Sequence, residues 1–144
     1  MKITDIEVIP IAPKLAARYA TRRVDLYGID FRVVYKVHTD AGVTGYGDVR
    51  MRPWANPSRD DLAHLIGKIP FDYINDNRNL GGTGLLCALY DAMGKAIGDP
   101  AYKLLGQKVR DRVPVAAWTR PAAPEDFASE ITRAANEGYT IFKM

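Results

Sequence analysis

The first third of the chain carries the alternation of apolar and polar positions that is typical of β-strands. Residues 3–10 and 31–39 are rich in β-branched side chains. Asp40-Ala41-Gly42 follows the second run, and a glycine there can take the positive φ that a tight turn requires. The chain then returns through residues 43–49, so the pattern predicts a three-stranded antiparallel sheet whose last two strands form a hairpin.

The middle third changes to a helical period. Residues 84–97 form the clearest helix, which Gly98 ends, and Pro100 opens a short helix over 101–105. In the helix over 84–97, apolar residues recur at i, i+4, i+7 and i+11, namely Leu85, Leu89, Ala92 and Ala96. Further apolar residues flank them: Leu86, Met93 and Ile97. A second helix is predicted over 58–68, with Ser58 as its N-cap and Asp60 and Asp61 in its first turn. We expect both helices to pack on the sheet, with Leu85, Leu89, Ala92 and Met93 at the interface.

The last third predicts one strand–helix–strand unit. A strand is expected over 112–119, and Pro124 begins a helix that Gly138 ends. One face of that helix is apolar: Phe127, Ile131 and Ala134 or Ala135. A strand over 139–144 completes a βαβ unit, and parallel strands of this kind are covered on both faces.

Composition is that of an ordinary globular domain of 144 residues, with 47% apolar and 26% charged residues. No apolar run approaches the roughly 20 residues of a membrane-spanning helix, and the N-terminus has no signal-peptide pattern. Cys87 is the single cysteine, and we expect it to pack as a small buried side chain. Since one cysteine cannot form an internal disulfide, we expect the protein in a reducing, cytoplasmic compartment. His64 has neighbouring acids only at Asp60 and Asp61, which favours a structural role over metal binding.

Charge is uneven along the chain. The net charge is +3, but residues 1–59 alone carry an excess of +4. Such an excess can steer an anionic ligand, whereas binding to a nucleic-acid backbone usually needs a denser basic stripe than the single adjacent pair Arg22-Arg23. A weak nucleic-acid binder with pI 9.0 stays open as a competing hypothesis, as does an ordinary solvated surface.

Three segments in this order, "TDAGVTGYGDV", "ALYDAMGKAIGDPAYKLLG" and "EGYTIFKM", resemble the enolase superfamily, closest to its mandelate racemase and muconate lactonizing enzyme-like members. The resemblance covers the whole chain. It implies an α+β capping domain (a three-stranded antiparallel sheet plus helices) over residues 1–110. Residues 111–144 would be the first βαβ of a (β/α) barrel.

The same resemblance implies a chemistry. Members of this family remove the proton α to a carboxylate with the help of Mg²⁺, and their second barrel strand carries a Lys-x-Lys motif. Lys143 matches the first, auxiliary lysine, which lowers the pKa of the neighbouring base. The second lysine and the Mg²⁺ ligands would lie beyond the end of this chain, so we expect the 144 residues alone to be inactive and to hold no metal.

The resemblance also implies that two loops of the capping domain select the substrate, here residues 14–30 and 49–57. The candidate substrate-binding side chains suit a hydroxylated anion: Tyr19, Arg22, Arg23, Tyr27, Arg50, Arg52 and Trp54. If residues 14–30 form a lid, they should be more mobile than the sheet without ligand. At Gly47-Asp48 many members have Gly-Glu, so the resemblance assigns no role to Asp48.

The interpretation is therefore the N-terminal part of a magnesium-dependent enzyme, with sugar-acid dehydration as first choice. A racemase, epimerase or cycloisomerase of the same superfamily is the alternative, and so is a non-catalytic protein that kept the capping fold. The expected partner is a small anionic hydroxycarboxylate, with no nucleic acid and no membrane, and the full-length protein is expected to be a homo-oligomer.

Overall fold

The computed structural model describes residues 1–13, 31–50, 55, 57–76, 82–119 and 123–143. The described residues up to Lys108 form one compact unit, and those from Val109 onward form a second. The predicted domain boundary after residue 110 stays a prediction.

The first unit is built on the expected antiparallel sheet of three strands. These are β1 (Ile3–Ile11), β2 (Arg32–Thr39) and β3 (Thr44–Arg50), in the order β1–β2–β3. β2 and β3 form a hairpin around Gly42, whose φ of 73° is the positive value that the turn required. The sheet and its hairpin are thus confirmed, and β3 runs to Arg50.

Helix α1 (Thr83–Ile97) covers one face of this sheet, as predicted. Val33, Tyr35 and Val37 alternate along β2 as fully buried residues, because alternate side chains of a strand point to one face. The four residues expected at the sheet–helix interface are all fully buried: Leu85, Leu89, Ala92 and Met93. Gly98 ends α1 in the left-handed conformation, with φ 72°.

Two glycines of β3 let the helix backbone lie directly on the strand. A Cβ at Gly45 would stand 2.1 Å from the carbonyl oxygen of Ala88 and 2.7 Å from the Cβ of Ala92. A Cβ at Gly47 would stand 2.1 Å from the carbonyl oxygen of Gly84. Such distances are closer than real side-chain carbons allow, so the sequence Gly-Tyr-Gly is what permits this packing.

The apolar face of α1 is shorter than the periodicity predicted. Ala96 and Ile97, in the last turn of the helix, are exposed. Cys87 was expected to be buried, and that prediction is wrong: its side chain is exposed. Residue 87 stands about 200° around the helix from Leu85 at 3.6 residues per turn, which puts it outside the buried face.

The predicted α-helix over 58–68 is wrong in type and length. The chain forms a 3-10 helix, Asp60–Leu65, that buries Leu62 and Leu65 and ends where Gly67 takes φ 82°. Ser58 is not its N-cap residue. It exchanges hydrogen bonds with Asp61 instead, its Oγ donating to Oδ2 at 2.8 Å and accepting from the Asp61 N–H at 3.2 Å. The helix expected over 101–105 is likewise a 3-10 helix, Ala101–Leu104.

The second unit contains the predicted βαβ arrangement in a shorter form. β4 (Ala117–Trp118) pairs in parallel with β5 (Phe142–Lys143), and α2 (Pro124–Asn136) connects them. The strands are two residues each, where the pattern had predicted 112–119 and 139–144. On α2, Ala134 is buried, Phe127 and Ile131 are partly buried and Ala135 is exposed, while Glu130 is buried although it is charged.

Candidate functional site

Lys143 lies at the carboxyl end of the parallel pair. It is the last residue of β5 and the register partner of Trp118, the last residue of β4. The N–H of Thr119 donates to the carbonyl oxygen of Lys143 at 3.3 Å, so the backbone of Lys143 is held by the neighbouring strand. The side chain of Lys143 is exposed. In α/β folds, ligands bind outside the carboxyl ends of parallel strands, and this is where such an ammonium group would meet one.

A small pocket lies between α2 and the two strands. It has a volume of about 10 Å³, room for a single water molecule, and its lining includes Trp118, Thr119 and Lys143 from the strand ends and Glu130 from α2. Arg133 pairs with Glu137 and, at 3.1 Å, with the buried Glu130. The hydrogen bond with Glu137, followed by that with Glu130, raises the pKa of Arg133. These ion pairs run along α2, and the small pocket beside them has no space for a substrate.

Arg50 is the candidate substrate-binding residue of the first unit that the structure describes. It is exposed at the end of β3 and stands opposite Arg32, the first residue of β2. Arg32 forms an ion pair with Asp48, two residues before Arg50 on the same strand. Two arginines and one carboxylate therefore share the end of the hairpin, where a net positive charge favours an anion.

The other candidate substrate-binding residues lie outside the described residues: Tyr19, Arg22, Arg23, Tyr27, Arg52 and Trp54. The expected lid over 14–30 also lies there. Their predicted roles stay predictions.

A polar network joins the three strands on the sheet face that α1 leaves open. Oε1 of Glu7 lies 2.6 Å from Nε2 of His38, and Nδ1 of His38 lies 3.1 Å from Oγ1 of Thr44. Lys36 Nζ stands 3.5 Å from the other oxygen of Glu7. The hydrogen bond with His38 lowers the pKa of Glu7, although partial burial opposes the shift.

Among the described residues, no three His, Cys, Asp or Glu side chains come together in a way that could hold a metal ion. His64 bonds through Nδ1 to the carbonyl oxygen of Asp61 at 2.9 Å, which fits the structural role expected for it. Within the same part of the chain, none of the helices has the length and apolar character needed to cross a membrane.

Sequence reasoning did not select Trp118 or Arg32. Trp118 is separated from Lys143 by more than a helix in the sequence, and only the strand pairing brings the two together. Arg32 could have been found from the predicted hairpin, since a turn centred on residue 41 places residue 32 opposite residue 50.

Known proteins resemble this chain along its whole length. Cis-3-hydroxy-L-proline dehydratase from Roseibium aggregatum is 31% identical over 164 residues, covering 100% of this chain and 45% of that protein. D-galactonate dehydratase from Variovorax paradoxus is 31% identical over 163 residues, covering 100% of this chain and 38% of that protein. The chain thus spans less than half the length of these relatives. No protein-family model matches the chain.

Solved structures show the same relationship. A mandelate racemase/muconate lactonizing family protein from Azoarcus sp. EbN1 superposes with a TM-score of 0.69 at 26% identity, covering 99% of this chain and 40% of that one. N-succinyl Arg/Lys racemase from Bacillus cereus gives a TM-score of 0.68 at 26% identity, covering 100% of this chain and 44% of that one. The sheet and helices of the first unit match the N-terminal capping domain of these enzymes. These relatives and structure neighbours are mandelate racemase/muconate lactonizing enzyme-like members of the enolase superfamily, and over its whole length this chain is similar to a part of them.

Proposed function

We propose that this chain is the N-terminal part of an enzyme that removes the proton α to a carboxylate, and that the complete enzyme dehydrates a hydroxylated acid of the sugar-acid type. The observation that carries the proposal is the position of Lys143 at the carboxyl end of a parallel strand pair, in a chain whose whole length is related to dehydratases. In the same proposal, residues 1–110 are the capping domain and residues 111–144 begin the barrel.

The exposed apolar residues of the second unit support a larger barrel. Val113, Val115 and Ile141 flank the two short strands and are exposed to solvent. Strands of a parallel sheet are normally covered on both faces, and α2 covers one face of β4 and β5. Further strands and helices packed on the other face would bury these side chains.

The reaction follows from the weak acidity of the α proton. In a 2,3-dihydroxy acid, a general base takes the α proton, and the hydroxyl group on the β carbon takes up a proton and leaves as water. The enol left at the hydroxyl-bearing α carbon then tautomerises to a 2-oxo acid. Negative charge develops on the carboxylate oxygens during the first step. The general base would be the second lysine of the family motif, and we assign to Lys143 the auxiliary role of a positive charge beside that base, which lowers the pKa of the base toward the working pH.

Arg50 serves substrate binding in this proposal. A guanidinium group offers two parallel N–H donors to a carboxylate, and Arg50 has no ion pair with another described residue. In this proposal Arg50 would bind the carboxylate of the acid.

Members of the superfamily generally bind Mg²⁺. The described residues of this chain do not offer a site for the ion, because they contain no convergent set of three ligands. We propose that its ligands belong to a part of the enzyme beyond residue 144.

The test is an assay of the product of the complete reading frame against a panel of aldonic and aldaric acids. We expect formation of a 2-oxo acid that EDTA abolishes and added Mg²⁺ restores. Lys143→Met keeps the length of the side chain and removes its charge, and it should lower kcat by about 100-fold or more. Turnover that EDTA leaves intact, or turnover only of apolar acids, would contradict the proposal.

A racemase or epimerase is the second candidate, favoured by the similarity to the N-succinyl Arg/Lys racemase structure. Both reactions begin with loss of the α proton, so Lys143 would have the same role. Incubation in D₂O separates them: a racemase incorporates deuterium at the α carbon and inverts it without loss of water, whereas a dehydratase accumulates the 2-oxo acid.

A further inference from the structure

Trp118 and Lys143 form a register pair at the carboxyl end of β4 and β5. They are Cα partners in the parallel ladder, and each is the last residue of its strand. Partners in a parallel ladder project to the same face of the sheet, because alternation runs in step along both strands. Any molecule that reaches Lys143 at this end of the pair therefore passes beside Trp118.

Exposure differs between Trp118 and its neighbours in the chain. Trp118 is 40% exposed, whereas Thr119, the next residue, is 5% exposed. Ala117 and Phe142, the other register partners, are partly buried. Trp118 and Lys143 both line the small pocket beside α2, and both also keep solvent-exposed surface at the carboxyl end of the strand pair.

An exposed indole beside an ammonium group has a defined chemical use. It presents a large, rigid apolar surface with one N–H donor at its edge, and it loses little conformational entropy when a ligand packs on it. Small-molecule sites combine such apolar walls with a few charged groups that fix orientation. A hydroxylated carboxylate suits the combination, since its C–H groups can lie on the ring while its charged end meets the ammonium group.

We propose that Trp118 is a substrate-contacting residue that determines specificity, carrying the carbon chain of a hydroxylated carboxylate on its indole face beside Lys143. The proposal rests on the proposed function for the site itself. It goes further by assigning the apolar wall of that site to the first strand of the second unit.

The competing explanation is that Trp118 is a packing residue for further elements of the fold. A packing role predicts that truncation lowers the melting temperature and changes all kinetic parameters only in proportion to folded protein. Substrate contact predicts a change in kcat/KM that depends on the acid and on the shape of the replacement side chain.

The experiment uses the product of the complete reading frame and its Trp118→Phe, Trp118→Leu and Trp118→Ala variants. Tyr139→Ala is the matched control, because Tyr139 is a similarly exposed aromatic residue of the same unit in the turn after α2. We measure kcat, KM and melting temperature for each acid that is turned over. Binding of D-galactonate and D-galactarate is measured in parallel by calorimetry.

We expect Trp118→Phe to keep kcat/KM within about threefold and Trp118→Leu to lower it by about tenfold or more, with melting temperatures like that of Tyr139→Ala. If Trp118→Ala does not fold, the comparison of Phe with Leu still decides, because Leu keeps apolar volume and loses the flat ring. Leu and Phe variants that both match the parent would overturn the proposal while leaving the proposed function intact.

The binding measurement keeps the two proposals separate. An enzyme that binds these acids without converting them would remove the proposed function, and loss of binding in Trp118→Leu would then still support contact with the substrate. If the parent neither converts nor binds any acid of the panel, both proposals are wrong.

Discussion

The carboxylate of Asp91 on α1 accepts a hydrogen bond from the backbone N–H of Tyr46 on β3, at 2.7 Å. The same oxygen accepts from Nζ of Lys95 at 2.6 Å, and Lys95 also donates to the carbonyl oxygen of Thr44 at 3.0 Å. The Lys95 ammonium group lies 4.6 Å from the centroid of the Tyr46 ring. β3 is an edge strand of the sheet. α1 supplies hydrogen-bond partners to the backbone of β3 on the side where another strand would otherwise pair.

We predict that Asp91→Ala lowers the free energy of unfolding by about 1–3 kcal/mol, because the N–H of Tyr46 and the ammonium group of Lys95 lose their shared acceptor. Asp91→Asn keeps an acceptor and should cost less. Urea denaturation of the 144-residue chain measures both changes. Asp99→Ala is the control, since its ion pair with Lys103 is exposed to solvent and its loss should change stability little. Equal effects of Asp91→Ala and Asp99→Ala would contradict the interpretation.

Gly45→Ala should destabilise the first unit by about 3 kcal/mol or more, because the new methyl group would meet the helix backbone at Ala88. Gly42→Ala separates this steric effect from conformational strain. It has open space around the added carbon but a φ of 73°, and should cost about 1 kcal/mol. Thermal unfolding of the two variants gives the comparison. A smaller loss of stability in Gly45→Ala than in Gly42→Ala would show that α1 does not lie on β3 as described.

Leu89→Ala should lower the free energy of unfolding by about 2–5 kcal/mol, because it leaves a cavity between α1 and the sheet. Leu89 is fully buried, whereas Leu105 is exposed. Leu105→Ala removes the same atoms and should stay within about 0.5 kcal/mol of the parent. Chemical denaturation monitored by circular dichroism measures both, and a similar cost for the two substitutions would disprove the assignment of Leu89 to the core.

Glu7 should contribute to the acid sensitivity of the first unit. Its pKa in the folded state is lowered from 4.5, first by the hydrogen bond with His38. A lowered folded pKa gives stability that is present above the unfolded pKa and is lost as the pH falls through the folded pKa. Glu7→Gln should therefore make stability fall less steeply below about pH 4.5 than in the parent.

The measurement for Glu7 is urea unfolding between neutral and acid pH. The carboxylate is partly exposed, so the difference should be small and should shrink in 1 M NaCl. Asp72→Asn, which changes an exposed carboxylate of the same unit, is the control. The prediction is wrong if Glu7→Gln and Asp72→Asn follow the same pH curve.

Arg50→Gln should raise KM for a carboxylate substrate of the complete enzyme by roughly tenfold, because a charge-assisted hydrogen bond is lost. Arg50→Lys keeps the charge without the two parallel donors, so its KM should lie between that of the parent enzyme and that of Arg50→Gln. Steady-state kinetics on an active acid measures this, with Arg112→Gln as an exposed arginine control in the other unit. An unchanged KM in Arg50→Gln would remove Arg50 from the substrate site.

Local patterns were sufficient for the regular elements of the fold. The alternation of Val33, Tyr35 and Val37 and the spacing of Leu85, Leu89 and Ala92 each repeat with the period of their element, so burial follows from position alone. The same patterns did not predict the type of helix in a short segment. Six residues from Asp60 to Leu65 support a 3-10 helix as well as an α-helix, and their packing under β1 makes the choice.

The sequence by itself determined the three-stranded sheet, helix α1, the order of strand, helix and strand at the end of the chain, and Lys143 as the residue that matches the family motif. The tertiary structure alone decided which distant residues meet: Trp118 beside Lys143, Arg32 opposite Arg50, and Asp91 on the edge of β3. The physical reason is that periodicity reports which face of an element is apolar, whereas a pairwise contact depends on strand register and on how closely two backbones approach. Gly45 shows the difference, since as a glycine within a strand pattern it could indicate a bulge or a close contact, and only the carbonyl of Ala88 above it explains why no side chain is present.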